Sequence, residues 1–218
     1  MARGRKPVIS PRKAPQQRRS SRLVADILEA AVRVLVREGA HRFTTARVAA
    51  TAGISVGSLY QYFPNKEAIL LRLQAQEWRG TMDQLQRILT DPGAAPLARL
   101  QSAVQVFFRS ECDEAAFRSA LEEAAPLYRE APESRAHAEE GRALMRRFIQ
   151  DALPEASARE RAAAADLIGT VMSAVGKAVS SQGRAGGEVD ALAAAVGEMF
   201  CSYLSARGAR ARAARPAG

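Results

Sequence analysis

Cysteine, histidine and aromatic residues are all scarce in this chain of 218 residues. The two cysteines, Cys112 and Cys201, and the two histidines, His41 and His137, stand far apart in the sequence. Metal sites and redox pairs use such residues at short, characteristic spacings. The sequence therefore predicts no metal site, no cofactor and two cysteines buried among apolar side chains.

Sequence signals of catalysis and of membrane insertion are also lacking. The sequence contains no Ser/His/Asp or Cys/His constellation, no glycine-rich phosphate loop and no HExxH motif. No run approaches the ~18 apolar residues of a membrane helix, and no apolar segment follows the basic N-terminus. We therefore expect a cytoplasmic, unprocessed protein that is not an enzyme; a screen for turnover would test the last point.

Positive charge is concentrated at the two ends of the chain. Residues 1–22 contain eight Lys and Arg residues and residues 207–218 contain four, with no acidic residue in either range. These cations exceed the net charge of +9, so the remaining sequence is slightly acidic. We expect a disordered basic arm over residues 1–19 that contacts DNA, and a solubilising disordered tail over residues 207–218.

Residues 44–63, TTARVAATAGISVGSLYQYF, have the pattern of two short helices joined by a tight turn. Thr44 and Thr45 offer side-chain oxygens that can cap the first helix, and Ser55 can cap the second. Gly53 can end the first helix in the left-handed conformation. Helix, glycine turn and helix is the unit that places its second helix in a DNA major groove. The residues assigned to the core beneath this second helix are Leu59 and Phe63.

An ordinary helical hairpin in a protein core is the alternative to a DNA-binding unit. Against it, the second helix carries polar or amphipathic groups that a core would have to satisfy: Ser58, Tyr60, Gln61 and Tyr62. Gly57 weakens a helix by roughly 1 kcal/mol but permits the close approach of a partner. Lys66 opposes the dipole of the next helix, and a phosphate partner would explain its position.

The run RVAATAGISVGSLYQYFPNKEAIL, from Arg47 to Leu70, resembles the DNA-binding signature of the TetR-like (tetracycline-repressor-type) transcriptional regulators. The preceding helix and its exit match too, through Arg22-x4-Ile27-Leu28-x-Ala30-Ala31 and through Gly39 followed by Thr44-Thr45. This specific match covers about residues 20–75. Beyond it, only length and helical content are similar.

The whole sequence predicts an all-α fold of about nine helices, without strand patterns or repeats. We expect a three-helix helix-turn-helix domain over residues 20–66 and a larger helical effector-binding and dimerisation domain over residues 67–206. One long helix from Asn65 to about Thr90 joins them. We expect this helix to transmit effector binding to the DNA-binding helices.

The resemblance implies a role for each exposed residue near the turn. The residues expected to face base edges are Val56, Gly57, Ser58, Tyr60 and Gln61. Gln61 can pair with adenine, Tyr60 can lie against a thymine methyl group, and DNA shape is expected to contribute where Gly57 offers few atoms. The residues expected to bind phosphates are Thr44, Thr45, Tyr62 and Lys66.

The last two predicted helices, over about residues 157–181 and 188–206, are apolar nearly all round. Such helices need burial on every side, and a four-helix bundle with a second copy provides it, as the resemblance also implies. A monomer core of alanine-rich composition is the alternative. The predicted dimer-interface residues are Ile168, Val171, Val175, Val196 and Phe200.

The resemblance implies an effector site between the helices that follow the DNA-binding domain. Taken singly, each candidate residue is more often plain core than part of a pocket, so this prediction rests on the resemblance. The candidate residues are Trp78, Met82, Phe107, Phe108, Phe117, Tyr128, Met145, Phe148 and Met172. Aromatic and methionine side chains favour an apolar or aromatic effector over a sugar or a phosphate.

These observations predict a sequence-specific transcriptional regulator, a homodimeric repressor that a small effector releases from a palindromic operator. Its partners would be double-stranded DNA, a second copy of itself and the effector, with no membrane, and it would lie in the cytoplasm on the nucleoid. A sensing module with a vestigial helix-turn-helix is the alternative. Repression is the simpler expectation because it needs only occlusion of a promoter, but the sequence does not separate it from activation.

Overall fold

The computed structural model describes residues 18–182 and 186–213, and within them every regular element is helical. The all-α prediction and the number of helices are confirmed. Short 3-10 helices at Ala40–Arg42 and Ala125–Leu127 supplement the α-helices. The α-helices are α1 (Arg18–Glu38), α2 (Thr45–Thr51), α3 (Val56–Tyr60), α4 (Lys66–Leu89), α5 (Pro96–Asp113), α6 (Ala115–Ala124), α7 (Pro132–Ala152), α8 (Ala158–Ser181) and α9 (Gly186–Ala213).

The chain forms two compact units, each with its own hydrophobic core. Of the described residues, the first unit contains those up to Trp78 together with Ala116–Ala136, and the second contains Arg79–Ala115 and those from His137 onward. The sequence predicts residues 116–136 to be part of the effector-binding domain. The structure places this segment in the first unit because its apolar side chains are buried in the same cluster as the helix-turn-helix.

The core of the first unit is built around α1. Apolar residues of α1 at helical spacing, including Ile27 and Leu35, are fully buried with Phe43. The later segment adds Leu121 and Tyr128, whose hydroxyl donates to the Leu121 carbonyl oxygen at 2.8 Å. Burial raises the pKa of the Tyr128 phenol above its ordinary value, so this hydroxyl stays protonated and keeps its bond.

One ion pair connects α4 and α6 within the first unit. The Arg118 Nη2 atom lies 2.5 Å from the Glu77 Oε1 atom, and both side chains are mostly buried. A buried pair is costly to break from one side, since the remaining charge loses its partner in a poorly solvated position. The pair therefore fixes α6 to the N-terminal part of α4.

Helix α5 lies at the centre of the second unit, packed against both α8 and α9. Glycines in α8 and α9 allow these helices to pack closely against α5. A Cβ atom added at Gly176 of α8 would lie 2.7 Å from Phe107 Cε1, and one at Gly197 of α9 would lie 3.4 Å from Gln101 Cγ. The absence of a side chain at Gly176 is thus a packing requirement between α5 and α8.

Arg99 fastens the C-terminal end of α4 within the second unit. This buried guanidinium donates through Nη1 to the Leu89 carbonyl oxygen at 2.8 Å and pairs through Nη2 with Asp151 of α7. It also lies 5.7 Å from the centre of the Phe148 ring. Leu89 is the last residue of α4, so Arg99 satisfies a carbonyl that the helix itself leaves open.

Helices α8 and α9 are apolar on their exposed as well as their buried sides. By length and composition both could cross a membrane, which corrects the expectation that no segment approaches that length and apolarity. In the most apolar window of each helix, only 33% is buried within the protomer. Leu167 and Met199, which are 44% and 50% exposed, lie on the open sides. Each of these helices exposes fewer charged residues than α7, although Asp166, Lys177 and Glu198 are exposed.

At both ends of the chain, the described residues are helical where the sequence predicts disorder. Helix α1 already includes the last two residues of the predicted basic arm, and the rest of that arm lies outside the described residues. The predicted C-terminal tail from residue 207 is helical as far as Ala213, because α9 continues through it. Arg207 lies 5.3 Å from the Tyr203 ring centre and Ala211 is buried, so this last part of α9 is packed.

The two cysteines are half-buried instead of fully buried. Burial raises the pKa of both thiols, with smaller contributions from neighbouring carboxylates. The Cys201 thiol donates to the Leu97 carbonyl oxygen at 3.5 Å. Both therefore remain protonated thiols at neutral pH.

Candidate nucleic-acid interface

Helix α2 begins and ends with the caps that the sequence predicts. The Thr44 hydroxyl accepts a hydrogen bond from the Arg47 amide at 3.3 Å. Gly53 has a φ of 68°, in the left-handed region, and its amide donates to the Ala50 carbonyl oxygen at 3.2 Å. The Ile54 amide donates to the Ala49 carbonyl oxygen at 3.0 Å, which completes a Schellman motif. The motif ends α2 and turns the chain toward α3.

Helix α3 starts at a second hydroxyl cap. The Ser55 Oγ atom accepts from the Ser58 amide at 3.0 Å and lies 2.9 Å from the Ser58 Oγ atom. Leu59 is fully buried and Phe63 is 2% exposed, so both core assignments are confirmed. The core side of α3 is thus fixed, and the opposite side is left to the solvent.

The residues predicted to contact DNA all retain solvent exposure. Val56, Gly57, Tyr60 and Gln61 are exposed on or next to α3, and Ser58 is half-buried because its hydroxyl lies against the cap. The predicted phosphate contacts are exposed at Thr44 and half-exposed at Thr45, Tyr62 and Lys66. The helix-turn-helix therefore brings the nine predicted residues into one region of the first unit.

The Thr45 and Tyr60 hydroxyl oxygens lie 3.1 Å apart, so a hydrogen bond joins the start of α2 to the end of α3. Thr45 is the first residue of α2 and Tyr60 is the last residue of α3. The sequence predicts separate roles for the two residues, because a separation of fifteen positions gives no local signal of contact.

Asn65 and Lys66 form the start of α4, directly after α3. The Asn65 Oδ1 atom accepts from the Ala68 amide at 2.9 Å, as expected of an N-cap. Lys66 is the first residue of the helix, and Glu67 follows it. The capped start of α4 therefore follows α3 in the chain after only residues 61–65.

Arg47 holds the helix-turn-helix onto α1, a role that sequence analysis did not find. Its Nη1 atom donates to the Glu38 carboxylate at 2.5 Å and to the Arg42 carbonyl oxygen at 3.0 Å. These contacts span the short 3-10 helix between α1 and α2. His41, which is part of that 3-10 helix, lies 3.3 Å from the Glu123 carboxylate of α6. Neither pair has a helical spacing that a sequence pattern could reveal.

The second unit supplies six of the nine predicted effector-binding residues. Phe108, Phe148 and Met172 are buried in its core, whereas Met82, Phe107 and Met145 are half-buried and pack against that core. The other three candidates, Trp78, Phe117 and Tyr128, belong to the first unit. The residues predicted to line one effector site therefore belong to two separate units.

The predicted dimer residues also fall into two groups. Ile168, Val196 and Phe200 are buried in the core of their own protomer. Val171 and Val175 are half-buried on the same helical stripe as the exposed Leu167. In an apolar helix, composition does not show which side faces the protomer core, so the sequence could not separate these groups.

No group of three or more potential metal ligands occurs within residues 18–182 and 186–213.

Two family models match the chain. Residues 95–207 match the model described as Tetracyclin repressor-like, C-terminal domain, and residues 27–73 match the model described as Bacterial regulatory proteins, tetR family. The first match alone covers more than half of the chain. The chain therefore belongs to the TetR family of bacterial transcriptional regulators.

Individual relatives show the same fold. The fatty acid metabolism regulator protein of Bacillus subtilis is 30% identical over 69 residues, which span 32% of this chain and only 36% of that protein. The fatty acid degradation regulator FadR of Bacillus halodurans superimposes with a TM-score of 0.68 at 18% identity, covering 87% of this chain and 96% of its own. FadR of B. subtilis in complex with stearoyl-CoA gives 0.68 at 17% identity, covering 82% and 97%.

Family membership establishes the general function of the protein. It is a transcriptional regulator with a DNA-binding helix-turn-helix domain, and its family consists of regulators and not of enzymes. Such regulators act in the cytoplasm, where their DNA is.

Proposed function

We propose that the protein is a homodimeric repressor that binds a palindromic operator and is released from it by a small apolar or aromatic effector, so that it works on the nucleoid. The observation that carries this proposal is the α2–α3 unit, whose core side is fixed by Leu59 and Phe63 and whose open side carries polar groups. A vestigial helix-turn-helix would have no need of both hydroxyl caps and an ordered open face.

Base reading is assigned to Val56, Gly57, Ser58, Tyr60 and Gln61. The Gln61 amide is exposed just after α3 and can pair with an adenine edge. Phosphate contacts are assigned to Thr44, Thr45, Tyr62 and Lys66, which fix the register on the duplex without reading sequence. The basic residues before α1 would add a minor-groove contact.

Dimerisation is assigned to the open sides of α8 and α9. Leu167, Val171 and Val175 form one stripe on α8, and Met199 is the most exposed large apolar residue of α9. Close helix packing is permitted by exposed alanines on the same two helices, such as Ala163, Ala174 and Ala195. A twofold pair would present two α3 helices to successive major grooves about 34–36 Å apart, which explains the expected palindrome.

The effector site is proposed within the second unit, at the half-buried Met82, Phe107 and Met145. Met82 lies against Gly141 of α7, and Phe107 lies against Gly176 of α8. A hydrogen bond between the Thr81 and Ser110 hydroxyls, whose oxygens are 3.0 Å apart, adds a polar group beside them. Because a structural relative was crystallised with stearoyl-CoA, a long-chain acyl-CoA is the first effector to test.

The test is binding of the purified protein to the DNA upstream of its own gene and to a scrambled duplex of equal length, over a series of salt concentrations. The proposal expects a preference for the upstream duplex and two chains per palindrome. Stearoyl-CoA, with free coenzyme A as the matched control, should then release the complex.

Equal and steeply salt-dependent binding to both duplexes would contradict sequence-specific recognition of that DNA, since it would come from phosphate contacts alone. Release by coenzyme A and stearoyl-CoA alike would contradict an apolar effector. Lys66→Ala should weaken binding to both duplexes and reduce the salt slope by about one for each phosphate that the protein no longer neutralises.

A further inference from the structure

Thr45 and Tyr60 share a hydrogen bond on the side of the helix-turn-helix that is open to the solvent. Tyr60 is 41% exposed and Thr45 is half-exposed, yet their hydroxyl oxygens are held 3.1 Å apart. An exposed tyrosine without such a bond would keep its side-chain rotational freedom. The hydroxyl bond and the backbone of α3 instead hold the Tyr60 ring at both ends.

The chemistry of the pair determines what it can offer to DNA. Only one hydroxyl hydrogen can lie between the two oxygens, so the other hydrogen points away from the pair and remains available as a donor. A phenol is the more acidic of the two groups, and the threonine hydroxyl is the better acceptor. This favours donation from Tyr60 to Thr45, which leaves the Thr45 hydrogen for an outside acceptor.

We infer that Thr45 is a positioning residue for Tyr60: Tyr60 donates to Thr45, Thr45 donates to a backbone phosphate, and the anchored Tyr60 ring is presented to the bases. The inference rests on the proposed sequence-specific binding. It changes the separate roles assigned to the two residues, because the phosphate contact and the base contact become one hydrogen-bonded unit. Each bond polarises the next one, so the two contacts strengthen together.

Tyr60→Phe separates this arrangement from simple reading of a thymine methyl group by the ring. The substitution keeps the ring and removes only the hydroxyl. If the ring alone mattered, affinity would be unchanged. Because ordering a freed side chain on binding is costly, we expect a loss of roughly three- to tenfold per half-site on the selected duplex, and a smaller loss on an unrelated one.

The experiment measures Tyr60→Phe, Thr45→Val and the double variant on two duplexes. One is the duplex that the wild-type protein enriches from a random-sequence pool, and the other is an unrelated duplex of equal length. The double variant should bind no more weakly than Thr45→Val alone, since each substitution breaks the same unit. Thr45→Ser, which keeps the hydroxyl, should restore binding.

Thr51→Val is the matched control, because it makes the same change at the exposed C-terminal end of α2 and should leave both affinities unchanged. Thermal unfolding verifies that all variants stay folded. Wild-type affinity of Tyr60→Phe, or strictly additive losses in the double variant, would overturn the inference. If the wild-type protein enriched no duplex, the proposed sequence-specific function itself would fail, together with the inference.

Discussion

Helices α2 and α3 have 7 and 5 residues, whereas α8 and α9 have 24 and 28. Isolated helices as short as α2 and α3 are unstable in water. Hydroxyl caps, the Schellman turn at Gly53 and the buried Leu59 hold them in place. Helix α8 begins with a capping box at Ser157, and over their length α8 and α9 depend on their apolar surface.

The solvent-exposed sides of α2 and α3 also differ in chemistry from those of α8 and α9. Around α3 they carry hydroxyl and amide groups that can exchange water for a polar partner. On α8 and α9 alanines, Leu167 and Met199 predominate, with few charged residues such as Asp166 and Glu198. A polar surface binds by directional contacts, and an apolar surface binds by removal from water. Four experiments examine this difference, beginning with the largest expected effect.

Leu59→Ala should destabilise the first unit by about 2–5 kcal/mol, because it opens a cavity beneath α3. Chemical denaturation followed by circular dichroism measures this loss. Val56→Ala is the matched control on the same helix: Val56 is 37% exposed, so its truncation should change stability by less than ~0.5 kcal/mol while reducing operator affinity. Equal destabilisation by both substitutions would contradict the division of α3 into core and open sides.

If α8 and α9 form the proposed dimer interface, Met199→Glu should shift the protein toward monomers by about 2–4 kcal/mol of dimerisation free energy, because a charge would enter that interface without a partner. Sedimentation velocity over a range of concentrations measures the shift. Arg147→Glu, on the exposed side of α7, is the control and should leave the association unchanged. An unaltered dimer in Met199→Glu would place the interface elsewhere on the chain.

Gly176→Ala should cost about 1–3 kcal/mol, because the new Cβ atom would lie 2.7 Å from Phe107 Cε1. Gly80→Ala is the opposite case. No heavy atom lies within 4 Å of an added Cβ atom there, so alanine should stabilise α4 by up to ~1 kcal/mol. Thermal midpoints of the two variants should therefore move in opposite directions, and a shift of the same sign would refute the close packing of α5 on α8.

Asp190→Asn should have the smallest effect on thermal stability, and only at acidic pH. Arg109 donates to both Asp190 oxygens, at 2.7 and 3.0 Å, and these bonds lower the pKa of the carboxyl group. The resulting stabilisation is present above the ordinary carboxyl pKa of about 4 and is lost as the pH falls through the lowered value. Between about pH 5 and pH 2 the wild-type thermal midpoint should thus fall more steeply than that of Asp190→Asn.

Local features of the sequence were sufficient to predict the helix-turn-helix. Thr44, Gly53 and Ser55 act on atoms within a few residues of themselves, so their roles follow from residue type and spacing. The same holds for the 3.6-residue stripe that places Leu59 and Phe63 in the core.

Contacts between distant segments could not be predicted in the same way. The Thr45–Tyr60 bond and the Glu77–Arg118 pair depend on how helices pack. So does the position of residues 116–136 in the first unit. Arginine-rich sequence after residue 206 resembles a solvated tail, yet packing of Arg207 on Tyr203 continues α9.

The interrupted first unit has a consequence for synthesis on the ribosome. Its core needs Leu121 and Tyr128, which emerge only after Arg79–Ala115 of the second unit has been made. At roughly 5–20 residues per second, the nascent helix-turn-helix waits a few seconds with part of its apolar core uncovered. The DNA-binding unit can therefore be completed only after the first segment of the second unit has been translated, and a chain truncated after α4 would leave that core uncovered.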